Sequence, residues 1–114
     1  MTENRLAEIA QRMRAQLVAD PQRPYVQHHL FGGLAMLLQR KPGDVWRLAI
    51  ARTDTAPSAT EAGTVAKAFG LVDVSWAWTT KPRVIKAYVG RGANAGWREV
   101  EVTYKVAECQ WIER

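Results

Sequence analysis

Strict two-residue alternation governs the second half of this chain. Val100, Val102, Tyr104 and Val106 alternate with Glu99, Glu101, Thr103 and Lys105, and Val72, Val74, Trp76 and Trp78 alternate with Asp73, Ser75, Ala77 and Thr79. Successive side chains on a strand point to opposite faces, so such runs require a sheet with one face buried and the other wet. The parity slips near Ala107, because Cys109 and Trp111 fall on the opposite face from Val100–Val106, and the spacing predicts a bulge or bend at 106–108.

The rest of the chain supplies partners for these strands. Residues 3–18 carry Leu6, Ile9, Met13 and Leu17 at spacings of three and four, with Ala10 widening the stripe, and read as a helix that ends before Pro21 and Pro24. Residues 25–31, 34–40 and 45–52 read as strands, the last two joined as a hairpin across Lys41-Pro42-Gly43-Asp44. Ser58 stands three positions before Glu61, a capping box opening a helix expected to bury Ala59, Ala62, Val65, Ala66 and Phe69 and to stop at Gly70. Beyond it, 71–79, a turn at Thr80-Lys81-Pro82, and strands at 83–89 and 98–107 complete the order α-β-β-β-α-β-β-β. Short connections and hairpin turns throughout imply an α+β fold, a single domain over 1–114 with an antiparallel sheet of five or six strands and two helices.

With 114 residues, 47% hydrophobic and 24% charged, the chain can build a core without disulfides or a structural metal. Its one cysteine, Cys109, has no partner for an intramolecular disulfide, and no Cys/His spacing suits a zinc site, so no cofactor is expected. No apolar run approaches the roughly 20 residues of a membrane span, and Met1–Arg5 leads into a charged helix rather than a secretory leader. The expectation is a cytoplasmic protein with no membrane association.

The formal net charge is +5, and its excess is local: Lys81, Arg83, Lys86, Arg91 and Arg98 fall between 81 and 98 with no acid among them. Tyr88 and Trp97 lie in the same segment, beside the glycine-containing loop 90–96. Cations beside aromatic rings on a hairpin suit phosphates and bases, so Lys81, Arg83, Tyr88, Arg91, Trp97 and Arg98 form the candidate surface for nucleic acid or another polyanion. The glycines do not make a nucleotide loop, because Trp97 and a strand follow where a P-loop needs Lys-Ser/Thr and a helix. Pairing the two strands with Ile85 opposite Val102 sets Lys86 against Glu101 and buries one apolar face.

Two other readings fit the same residues. A homo-oligomer or subunit would use helix 3–18 and exposed tryptophans as its interface. A ligand binder or enzyme would line a pocket with Trp76, Trp78 and Tyr104 and take His28 or His29 as its acid or base. His28 and His29 are adjacent on a strand and face opposite ways, so they do not share a metal, and no spacing ties either to a nucleophile.

Overall fold

The computed structural model describes residues 3–113. Helix α1 (Glu3–Ala19) is followed by strands β1 (Val26–His29), β2 (Ala35–Lys41) and β3 (Val45–Arg52), helix α2 (Ala59–Ala68), and two long strands, β4 (Ala77–Val89) and β5 (Gly96–Ile112). All pairings are antiparallel, in the order β1-β2-β3-β5-β4. The fold is α+β with both helices on one side of a five-stranded sheet.

Register assigns each side chain to a face. Leu48 pairs with Leu38 on one side and Cys109 on the other, and Ile50 pairs with Met36 and Ala107. These residues are buried with Leu6, Ile9, Met13 and Leu17 of α1 and Ala62 and Val65 of α2, forming the core between sheet and helices. The apolar stripe of α1, proposed above as a self-association surface, is thus consumed by the chain's own core. The Ser58 capping box is present as expected, and Gly70 takes a positive φ of 73° just beyond α2.

Three sequence expectations are corrected. First, 71–76 is irregular rather than a strand. Asp73 adopts a left-handed φ of 56°, which breaks the extended run, although Leu71, Val74 and Trp76 still pack against the core. Second, Thr80-Lys81-Pro82 is not a turn: β4 runs straight through it, so strands expected at 71–79 and 83–89 become one and the count is five. β4 is a sheet edge, where the donor that Pro82 lacks has no neighbour to serve. Third, β5 has no bulge, since its register with both β3 and β4 is unbroken through 105–108. The parity slip arises because a different face of the strand is apolar on either side of residue 106. Ala107, Cys109 and Trp111 face the helices, whereas Val106, Tyr104, Val102 and Val100 face the opposite, uncovered side.

β3 reaches only as far as Lys105 of β5, so the nine pairs from Lys81–Tyr104 out to Val89–Gly96 form a two-stranded ribbon. At about 3.4 Å per residue it projects roughly 30 Å beyond the body. Its observed register sets Lys86 opposite Glu99 and Ile85 opposite Val100. This is two residues from the pairing expected above, and the loop it leaves, 90–95, is correspondingly tight. The parity, and hence each residue's face, is unchanged.

Candidate anion-binding face

The open face of the sheet, away from the helices, gathers polar and charged side chains from all five strands. It receives Gln27 and His29 from β1, Ala35, Leu37 and Gln39 from β2, Arg47, Ala49 and Ala51 from β3, Tyr104 and Val106 from β5, and Lys81 and Arg83 from β4. These residues, with Tyr25, Gly33 and Thr53, line a cleft of about 460 Å³. Residues of both edge strands line it, so the sheet curls and its edges form the walls. The curl shields the floor: Ala49 is 6% and Val106 5% exposed although no layer covers this side. Small side chains at Ala35, Ala49 and Ala51 leave the volume unfilled.

Charge around the cleft is unevenly spent. Glu108, on the same face, accepts hydrogen bonds from the Arg47 guanidinium and, at 3.5 Å, from Lys81 Nζ. Burial alone would push the Glu108 carboxyl up, but the Arg47 hydrogen bond, with the charges of Arg47 and Lys81, outweighs it and holds the pKa below its ordinary value. Arg47 also donates to Gln39 Oε1 at 2.9 Å. Lys81 therefore already has an acidic partner. Arg83 has none among the described residues.

Along the ribbon the open face continues as Arg83, Ile85, Ala87 and Val89 on β4, opposite Val102, Val100, Arg98 and Gly96 on β5. Ile85 is 37% exposed, so the apolar face expected to be buried is uncovered. The ribbon's acids, Glu99 and Glu101, lie on the reverse face with Val84, Lys86, Tyr88 and Trp97. The six candidate residues accordingly divide. Lys81, Arg83 and Arg98 share the open face, while Tyr88 and Trp97 lie on the reverse, opposite each other, with ring centroids 5.5 Å apart in an edge-on contact. Arg91 stands in the loop at the tip. Trp97 remains 71% exposed and Tyr88 62%.

The other tryptophans have structural work. Trp46 is buried, stacked on Trp111 at 6.3 Å, with the Arg14 and Arg40 guanidinium groups at 5.1 and 5.4 Å from its centroid. Trp78 is 47% exposed, yet its indole N–H donates to Pro57 O at 2.9 Å and ties the loop before α2 to the sheet. Neither Trp76 nor Trp78 lines the cleft; of the three pocket residues anticipated, only Tyr104 does.

His29 faces the cleft, its Nε2 3.4 Å from Gln27 Nε2, while His28 faces the helix side. Cys109 is buried on the helix side, and burial, together with the nearby Glu108 charge, raises its thiol pKa to about 11. Three strand spacings, roughly 14 Å, separate it from β1, so no Cys–His dyad forms. Among the described residues, no group of three His, Cys, Asp or Glu side chains is placed to hold a metal, and no helix is long and apolar enough to cross a membrane. No protein family matches the chain, and comparison with curated proteins and with solved structures finds no match either.

Proposed function

We propose that this is a non-enzymatic binding protein that holds nucleic acid, or another extended polyanion, along the open face and its ribbon. One observation carries the reading: Arg83 and Arg98 occupy an uncovered apolar face while the ribbon's acids occupy the other. A flexible chain can lay phosphates on Lys81, Arg83 and Arg98 and rest its bases on Ile85, Val100 and Tyr104. Arg91 extends the cationic line to the tip. Tyr88 and Trp97 flank that tip from the reverse side, where they meet a strand passing around it rather than forming one platform with the arginines.

Fluorescence anisotropy with a labelled 20-nucleotide single strand tests this. Affinity is expected to fall steeply with salt, and replacing Arg83 and Arg98 together by Ala is expected to weaken binding about tenfold and reduce the salt slope by about 1–2. Undetectable binding at about 50 mM salt refutes it. The reverse face favours a second reading: Val84, Tyr88 and Trp97 beside both Lys86 and Glu99 make an aromatic surface with both charge signs, suited to a second copy of the chain. A dimer mass in light scattering that Trp97→Ala returns to monomer would select that reading.

A further inference from the structure

The cleft differs from the ribbon in shape and in what it can hold. The ribbon is a two-stranded arm with no buried side chain, whereas the cleft's volume of about 460 Å³ falls within the roughly 300–1,000 Å³ of small-molecule sites. Its floor is Ala35, Leu37, Ala49, Ala51 and Val106, all apolar. Polar groups flank it, His29 and Gln27 on the β1 wall and Arg83 and Lys81 on the β4 wall, while Gln39 and Arg47 enter from the central strands at one end.

We infer that this cleft is a binding site for a small amphipathic carboxylate, its apolar body on the alanine floor and its carboxylate on Arg83. Glu108 supplies one negative charge against Arg47, Lys81 and Arg83, so the cleft carries uncompensated positive charge. Arg47 is held by Gln39 and Glu108, and Lys81 by Glu108. Arg83 alone has its full set of donors available for a bidentate contact. A neutral apolar molecule would leave that charge unanswered, and a small inorganic anion would leave the floor wet. A carboxylate with a hydrocarbon body satisfies both. The inference does not rest on the nucleic-acid reading, although both use Lys81, Arg83 and Tyr104 of the cleft.

Calorimetric titration of the full chain with decanoate, below its micelle concentration, is the test, with decanol as the neutral control. Decanoate is expected to bind saturably at one site, with amide shifts concentrated at Gln27, His29, Ala35, Ala49, Ala51 and Tyr104, and decanol to bind at least tenfold more weakly. Arg83→Ala should weaken decanoate by about tenfold, the loss expected when a charged partner is removed. Ala51→Trp should abolish binding by filling the floor, and Arg12→Ala, on exposed α1 surface, should leave it unchanged. Absence of saturable binding, equal affinity for decanol, or unimpaired binding by Ala51→Trp overturns the inference. If Ala51→Trp fails to fold, the shift map of the unsubstituted chain decides, and perturbations clustered outside the cleft overturn it. Binding of decanoate without the oligonucleotide, or the reverse, judges the two readings separately.

Discussion

Glu61 serves two partners. It completes the capping box by accepting from the Ser58 backbone N–H at 2.9 Å, and it pairs with Arg52 at the end of β3. The Arg52 hydrogen bond, then the Ser58 backbone bond, lower its pKa from 4.5 to about 2. The folded state therefore holds this proton less tightly than the unfolded chain does. The associated stability is complete above the unfolded value and is lost as pH falls from about 4.5 toward 2. A third of the side chain is exposed, so solvent screening reduces the effect to about 1 kcal/mol. Urea midpoints of the wild type should drop between pH 6 and pH 3 by more than those of Glu61→Gln. Parallel curves for the two proteins would show that the pair contributes nothing.

At the scale of elements, the ribbon is the weakest part of the fold. An isolated two-stranded hairpin is marginal in water, and from Lys81 outward neither β3 nor a helix supports it. The Tyr88–Trp97 pair contributes about 0.5–1 kcal/mol, and Gly90 lets the loop close. Gly90 has φ 97°, and a Cβ there would lie 2.9 Å from Asn94 O. Gly90→Ala should favour ribbon opening by about 1–3 kcal/mol while leaving the core untouched. Native-state hydrogen exchange should then accelerate at amides 85–101 and stay unchanged in β2 and β3. Equal acceleration in all strands would mean that ribbon and core open together. The helices, the 34–52 hairpin and the Ser58 cap were legible in the sequence because local spacing determines them. The fusion of 71–79 with 83–89 was not, since Pro82 reads as a breaker until β4 is known to be an edge. The parity slip at Ala107 was visible, but its cause was a change in which face is apolar. That depends on where the helices stop covering the sheet, which no local pattern records. The same tertiary fact separated Tyr88 and Trp97 from Arg83 and Arg98, and it placed Arg47, His29 and the alanine floor in a cleft assembled across all five strands.

For the whole molecule, the ribbon sets the shape. The Cα radius of gyration is 16.0 Å with extents of 56 × 32 × 26 Å, against about 13 Å for a compact chain of this length. Core and ribbon share β4 and β5, yet the buried residues all belong to the body, from Leu6 to Cys109, and none lies between 81 and 104. The ribbon should therefore be removable. Arg83 and Val102 stand directly opposite each other, so residues 84–101 can be replaced by Asn-Gly, which forms the two-residue turn that a hairpin of this register needs. The shortened protein should unfold cooperatively, and with no buried side chain removed its Tm should shift by less than about 5 °C. Arg83 and the alanine floor remain, so decanoate should bind as before. Arg91 and Arg98 are gone, and oligonucleotide affinity should fall at least tenfold, as the loss of two phosphate contacts implies. A shortened chain that fails to fold would make the ribbon part of the folding unit. One that folds and keeps its oligonucleotide affinity would place polyanion binding on the body.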